Sequence, residues 1–295
     1  MKLVDGVELI IVDKRSGLSG LRNLREQLRG RQYDVLLHMQ LAIRASAMAY
    51  AVNAPIKLGF DRARARELQW LFTNERIAAR TREHVLDSFF GFLAALGIEE
   101  RVLKWNVTLP ADAVSYAKWL IPDSQPTLVI SPCSSHSLRN WSVERYAAVA
   151  DYAVEHHGMR VILAGGPTPL ETETGAAIER LVKTRVINQI GKDTLPQLLG
   201  LLSRARVLIA PDSGPVHMAT MVGTPVIGLY AATNPARSGP YLSRQWCVDA
   251  YPEAAVAFCR TDPGKLPWTR KIEIPGVMDL ITVPSVTAKL DELLR

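Results

Sequence analysis

Several things are scarce in this chain of 295 residues, and each absence removes a class of protein. There are three cysteines, Cys133, Cys247 and Cys259, with no CxxC pair. An odd number without metal-ligand spacing excludes a disulfide scaffold and a thiolate zinc site, and it implies reduced thiols in a cytoplasmic protein. No apolar run reaches the ~18 residues of a membrane span; the longest, Leu41–Val52, is broken by Arg44. The opening MKLVDGVELIIVDKR carries acids inside its apolar stretch, unlike a secretory signal. No heptads, internal repeats or low-complexity tracts occur. The P-loop GxxxxGK[ST], the GxSxG elbow and the GxGxxG fingerprint are all missing, which leaves NTPase, hydrolase and nicotinamide-dehydrogenase readings without support. No two aspartates are separated by a single residue, so there is no Asp-x-Asp metal motif. Zinc-finger spacing, aromatic-rich RNA motifs and basic zippers are also missing, so nucleic acid is not an expected partner.

What remains is an ordinary globular composition, 48% hydrophobic and 22% charged, with a formal net charge of +6. The length fits about two domains. Much of the positive charge lies early, at Arg15, Arg22, Arg25, Arg29 and Arg31, and then at Arg62, Arg64 and Arg66. Such clusters are either solvated helix faces or surfaces for anionic molecules.

Short apolar runs alternate with helical periodicity. Val7–Val12, Val35–Met39 and Ile56–Phe60 read as strands, and Leu18–Leu28, Leu41–Val52 and Arg82–Leu96 as helices, the last closed by Gly97. The polar segment Ile121-Pro-Asp-Ser-Gln-Pro126 reads as a domain boundary. After it come strands at Leu128–Ser131, Val161–Ala164, Val186–Ile190, Val207–Ala210 and Val226–Tyr230. Helices at Val143–His156, Leu170–Val182, Leu195–Ser203 and Pro215–Val222 separate them. This alternation predicts a doubly wound parallel sheet of Rossmann type. The expected domains are 1–121, 122–283 and a terminal helix, 284–295, packing back towards the first.

Ligands of such sheets sit at the carboxyl ends of the strands. The loops that should meet there read SPCSSHSLRNW, GGPTPLETE, GKDT, PDSGPVH and AATNPARSGP. In Asp212-Ser213-Gly214-Pro215, glycine permits close backbone approach and proline suits a first helical turn. The free amides of that turn favour a phosphate. Asp212 suits sugar hydroxyls, or simply an Asx turn. His217 faces either the site or the core. Arg139 suits a diphosphate or a surface salt bridge, with Ser134 and Ser135 as hydroxyl donors. Glu171, after Gly165-Gly166, suits a ribose or an unremarkable helix start.

Taken together, SPCSSHSLRNWSVERYAAVADYA, VILAGGP and GKDTLPQLLGLLSRARVLIAPDSGPVHMATMVGTPVIGLYAATNPARSGPY resemble the ADP-heptose:lipopolysaccharide heptosyltransferases of glycosyltransferase family nine. The Asp-Ser-Gly-x-x-His element Asp212–His217 is the most specific part. VLLHMQLAIRASA, IKLGFDRARARE, LFTNERI and HVLDSFFGFLAALGI extend the resemblance through the first half. The resemblance implies a GT-B fold of two Rossmann-like domains facing a cleft, and inverting transfer without metal or other cofactor. The donor ADP-heptose would meet Ser134, Ser135 and Arg139 at its diphosphate and Glu171 at ribose. Gly191, Lys192 and Asp193 would border adenine, Asp212 the heptose, and Ser213, Gly214 and His217 the phosphates. Arg62, Arg66, Glu67 and His84 would serve the acceptor, a lipid A–Kdo glycolipid, with the protein cytoplasmic and in peripheral contact with the anionic inner-membrane face.

One departure stands out. The family opens with a strand, a Gly-Asp loop carrying the proposed general base, and a long helix. Here about fifty to sixty family positions, by usual βαβ sizes, are expected to be absent, which would leave the N-terminal domain incomplete. Asp5 and Asp13 do not sit in the strand–loop–helix context, so no catalytic base is assigned. The alternatives are a catalytically impaired ADP-sugar-binding homologue and a related transferase using another nucleotide sugar.

Overall fold

The computed structural model describes residues 6–13 and 15–295. They fall into two compact units that divide between Leu103 and Lys104. In the first unit the order is α1 (Gly17–Gln27), β1 (Val35–Leu37), α2 (Ile43–Tyr50), β2 (Ile56–Gly59), β3 (Glu75–Arg76) and α3 (Val85–Ala94). The three strands form one parallel sheet in the order β1-β2-β3. Leu58, Phe60, Ile77 and Phe92 make its core, with Phe60 and Phe92 edge-to-face at 5.1 Å. A buried amide ties the strand ends together. Gln69 donates to the carbonyls of His38 (2.9 Å) and Gln40 (2.8 Å) and accepts from the Phe60 amide (3.2 Å).

Within the basic run Arg62 and Arg66 are exposed, whereas Arg64 is half-buried and fully engaged. The Arg64 guanidinium pairs with Asp61 and Glu83 and donates to Ser88 Oγ (3.2 Å) and the Ala78 carbonyl (2.7 Å). One side chain thereby gathers the loop after β2, the segment before α3 and the first turns of α3. Its fan of donors is a geometry lysine cannot reproduce.

The second unit begins earlier than the proline-containing segment suggested. Helix α4 (Ala111–Leu120) belongs to it, because Leu120 and Ile121 complete one of its cores. The elements that follow are β4 (Thr127–Ile130), α5 (Val143–His157), β5 (Arg160–Leu163), α6 (Pro169–Leu181), β6 (Val186–Asn188) and α7 (Leu195–Arg204). After these come β7 (Val207–Pro211), α8 (Gly214–Met221), β8 (Val226–Tyr230), α9 (Pro235–Ser238), β9 (Val248–Asp249), α10 (Tyr251–Cys259) and α11 (Val283–Leu294). The sheet is wholly parallel, in the order β6-β5-β4-β7-β8-β9.

Side-chain alternation along these strands builds two cores. Leu128, Ile130, Val161, Leu163, Val207, Ile209, Ile227 and Leu229 face one layer, with α5, α10 and α11. Val129, Ile162, Leu208, Ala210 and Val226 face the other, with α4, α7 and α8. Strands buried on both faces explain the near-continuous apolar runs in the sequence. Helices α4 and α7 approach so closely that a Cβ on Gly200 would lie 2.6 Å from the Ala113 carbonyl oxygen.

The structure differs from expectation at the first run and at the place of the division. The Val7–Val12 run forms no strand, and Ile11 is 87% exposed. An apolar run becomes a strand only where a neighbouring edge satisfies its backbone, and none of the described strands pairs with it. The short β3 and β9, and helices α4 and α10, carry too little periodic signal to be expected from sequence. The division of the chain lies at Leu103/Lys104 and not at 121/122. The terminal helix α11 lies in the second unit, where Val286, Leu290 and Leu293 join the core. Asp291 of α11 accepts from Tyr152 (3.0 and 3.1 Å) and meets His157 Nε2 at 2.7 Å, which clamps α11 to α5. Asp5 lies outside the described residues, and Asp13 accepts the Arg15 amide (2.8 Å) at the turn into α1.

Two outcomes follow from this packing. Arg64→Met leaves Asp61 and Glu83 without their cation and should cost the first unit about 3 kcal/mol. Peptide-resolved hydrogen exchange should show protection lost over residues 56–94 and kept over 127–230. Burial raises the Asp291 pKa, but hydrogen bonds from His157 and Tyr152 and the charges of His157 and Arg295 outweigh it and hold the carboxyl below its ordinary value. Its stabilising contribution is therefore complete above the unfolded carboxylate value of about 3.9 and is lost as pH falls through the lower folded value. Asp291→Asn should flatten that acid limb of a Tm-versus-pH curve while leaving the curve's shape near neutrality unchanged.

Candidate functional site

The strand order of the second unit reverses between β4 and β7. The chain leaves β4 towards α5 on one face of the sheet and leaves β7 towards α8 on the other. The two departing loops cannot cover the gap between them, and this makes a crevice at the carboxyl ends of the strands. Residues 131–142 and 212–213 border it.

Arg139 and Asp212 meet there. Arg139 Nη1 lies 3.5 Å from Asp212 Oδ2, and the two side chains are only 15% and 14% exposed. Sequence reasoning missed a third member. Glu273 Oε1 accepts from Arg139 Nε (2.8 Å) and lies 2.6 Å from Nη2, while its Oε2 is 3.7 Å from His136 Nε2. Glu273 stands 134 residues from Arg139 in a segment without motif, so no local signal could have found it. Burial pushes its pKa up, yet the hydrogen bond and charge of Arg139, with His136 and Lys271, outweigh this and hold it below the usual range.

Helix α8 starts at the crevice. Ser213 does not cap it, for its hydroxyl donates back to the Pro211 carbonyl (3.0 Å). By contrast α5, α6, α9 and α11 are capped by Ser142, Thr168, Asn234 and Thr282. The first-turn amides of α8 are thus left without a side-chain acceptor, and the helix dipole adds positive potential. Gly214 has no positive φ, and a Cβ there would meet nothing within 4 Å. Neither packing nor backbone strain therefore calls for glycine at this position. His217, in the same turn, is open to solvent; even so, desolvation by the surrounding protein lowers its pKa, with Asp212 opposing.

The serines divide. Ser134 is buried and spends its hydroxyl on the His136 carbonyl (2.9 Å), so it shapes the loop, whereas Ser135 is exposed. Asn140 Oδ1 accepts the Ser134 amide at 2.7 Å. Cys133 and Cys247 are held as thiols by burial, Cys247 with a pKa of about 12, and neither is suited to act as a nucleophile.

The loops after β5 and β6 form the other flank. The Glu171 carboxylate folds back on its own helix start, accepting the Gly166 amide (2.9 Å) and the Thr168 hydroxyl (2.6 Å). A Cβ at Gly166 would come 2.9 Å from that carboxylate, so the carboxylate lies directly over the glycine. Gly191, at φ +76°, donates to the Gly165 carbonyl (2.9 Å) and joins the two loops. Lys192 reaches back to the Asn188 carbonyl (2.6 Å). Asp193 has a buried Oδ2 with no hydrogen-bond partner among the described residues, and burial raises its pKa to about 6. Nearby Tyr116 donates to Gln189 Oε1 (3.2 Å); burial and then the Asp193 charge push it to about 12.

In the first unit, the expected acceptor residues take mostly local roles. Arg62 stacks over Trp70 at 4.8 Å, and Arg66 is exposed. Glu67 accepts the first amide of α2, Ile43 N, at 2.5 Å, from a backbone with φ +48°. His84 is buried and caps α3 through Nδ1 and the Leu86 amide (3.1 Å). Among the described residues, no cluster of His, Cys, Asp and Glu could hold a metal ion.

The model of glycosyltransferase family 9 (heptosyltransferase) matches residues 21–265. The chain is 38% identical over 290 residues to the lipopolysaccharide core heptosyltransferase OpsX of Haemophilus influenzae, which spans 98% of this chain and 83% of that protein. It is 24% identical over 216 residues to lipopolysaccharide heptosyltransferase 3 of Escherichia coli, 72% of this chain and 63% of the relative. Among solved structures, a family 9 glycosyl transferase of Veillonella parvula superposes with a TM-score of 0.76 at 24% identity, covering 98% and 82% of the two chains. The E. coli heptosyltransferase WaaC with ADP gives 0.69 at 18%, covering 94% and 78%. These likenesses establish a GT-B-type fold. The chain belongs to glycosyltransferase family 9, the heptosyltransferase family.

Proposed function

We propose that this chain is an inverting heptosyltransferase of lipopolysaccharide core assembly, taking heptose from ADP-heptose and passing it to a Kdo–lipid A type acceptor. The observation that carries the reading is the meeting of Arg139, Asp212 and the uncapped start of α8 at the switch point of the sheet. Family membership and the likeness to OpsX support it.

In this reading the ADP diphosphate lies against the Ser213–Gly214 turn, with Ser135 and His217 beside it. Gly214 leaves the space in which a phosphate oxygen can approach the backbone. Asp212 accepts from heptose hydroxyls. Glu171 takes the ribose, its carboxylate keeping free lone pairs beyond the two loop bonds it already makes. Gly191, Lys192 and Asp193 border adenine, whose exocyclic amine is a donor suited to a carboxylate without a partner. As the bond from the anomeric carbon to the phosphate oxygen breaks, the electron pair goes to the diphosphate. Arg139 and the α8 amides stabilise that charge where it develops. Attack by the acceptor hydroxyl from the opposite face inverts the anomeric centre, and the hydroxyl proton passes to solvent water, since no residue is assigned as the base.

On the acceptor side we assign Arg62 and Arg66 to the anionic groups of the glycolipid, with Glu67 and His84 shaping the segments around them. The exposed Arg22 of α1, 82% accessible, with Arg25, Arg29 and the exposed Leu18, suits an anionic membrane face.

Calorimetric titration should find ADP binding at least tenfold tighter than UDP or GDP. Arg139→Ala should weaken ADP by tenfold or more, the loss of about 1.5–3 kcal/mol expected for a charge-assisted bond. UDP binding as well as ADP, or Arg139→Ala leaving ADP affinity intact, would overturn the donor assignment. Vesicle co-sedimentation tests the membrane face. Wild type should bind vesicles containing phosphatidylglycerol but not pure phosphatidylcholine, and Arg22, Arg25 and Arg29 changed together to alanine should abolish the difference.

A further inference from the structure

Arg139 has two edges on which it can hold an anion side by side: Nε with Nη2, and Nη1 with Nη2. Glu273 takes the first. A single oxygen, Oε1, stands 2.8 Å from Nε and 2.6 Å from Nη2. The second edge remains, and its Nη1 end is the one beside Asp212. Glu273 is itself held. The neighbouring Ile272 is fully buried and donates its amide to the Ala232 carbonyl (2.7 Å), just beyond β8. Downstream, the Ile281 carbonyl accepts from Trp141 Nε1 (3.0 Å) and Arg145 Nη1 (2.7 Å), so the 272–281 segment is strapped to the loop that carries Arg139.

From this geometry we infer that Glu273 is the positioning residue for Arg139: it holds the guanidinium by the Nε–Nη2 edge so that the Nη1–Nη2 edge is presented to a diphosphate in the crevice. The inference rests on the donor site proposed above. A phosphate on the Nη1–Nη2 edge, beside Asp212, need not displace Glu273, so the carboxylate of Glu273 orients the arginine and does not compete for that edge. Without Glu273 the nearest anion is Asp212, and the guanidinium swings onto it and away from the ligand. The contact is made through an oxygen that accepts two N–H groups, which an amide oxygen can also do. Orientation should therefore survive loss of the charge, provided the oxygen stays.

The test is calorimetry of the full chain with ADP and AMP, on Glu273→Ala, Glu273→Gln, Arg139→Ala and the double variant Arg139→Ala/Glu273→Ala. Glu273→Ala should weaken ADP about tenfold and AMP by less, whereas Glu273→Gln should stay within about threefold of wild type for both. In the Arg139→Ala background, Glu273→Ala should add nothing. Equal loss of ADP and AMP on Glu273→Ala, failure of Glu273→Gln to restore binding, or a further loss in the double variant would each overturn the positioning role. If Arg139→Ala alone leaves ADP affinity unchanged, the donor site is misplaced, an outcome distinct from failure of Glu273. Should Glu273→Ala not fold, the Glu273→Gln variant and a Glu273→Asp variant, whose shorter arm cannot span both nitrogens, decide: glutamine binding ADP like wild type and aspartate weakening it supports the role, and the reverse order refutes it.

Discussion

The constraint on which the second unit depends is the reversal of strand order between β4 and β7. Parallel strands need long crossovers, and right-handed crossovers launched in opposite directions from the centre of the sheet lay helices on opposite faces. The price is a gap that no loop closes, and the chain has put its charged residues there. Arg139 comes from the loop after β4, Asp212 from the end of β7, and the uncapped amides from the start of α8. The rest of the unit serves to keep these elements fixed. Two apolar cores clamp the sheet from both sides, Gly200 lets α4 sit against α7, and the Asp291 clamp seats α11 on α5.

The electrostatics of the crevice are built around one cation and two carboxylates. Arg139 is largely shielded from water, so an unpaired guanidinium would be costly there, and Asp212 alone reaches it only at 3.5 Å. Glu273 supplies the closer partner, and the buried Ile272 fixes where that partner stands. The site is thus preorganised by a segment remote in sequence. The guanidinium is thereby held in one orientation by the fold itself. The first unit uses the same device for a structural end, with Arg64 between Asp61 and Glu83.

Much of this was legible in the residues. Five of the six strands of the second unit, and the four helices between them, follow from apolar runs and helical periodicity, and the structure places them within one or two residues of the sequence boundaries. Asp212, Gly214 and Arg139 stood out because turn chemistry and loop position mark them locally. Glu171 was legible as a carboxylate beside a glycine pair. Its loop-closing bonds to Gly166 and Thr168 were not, since they depend on how the side chain folds back. In the first unit the reading was weaker. The Val7–Val12 run has strand-like composition but no paired edge, and β3 has only two residues. The helix-start contacts of Glu67 and His84 were not legible either, since they depend on how each side chain meets a neighbouring amide.

The sequence by itself determined the layered parallel architecture, the place of the glycine–proline turn at the start of α8 and the family, because each follows from local periodicity or from residues adjacent in the chain. Tertiary structure alone decided that α4 and α11 belong to the second unit and that Arg64 is a structural ion where its neighbours are not. It also decided that Glu273 stands behind Arg139. Those facts depend on contacts between residues tens to more than a hundred positions apart. No local propensity encodes such a contact, because it exists only once the packed sheet has brought the two segments together.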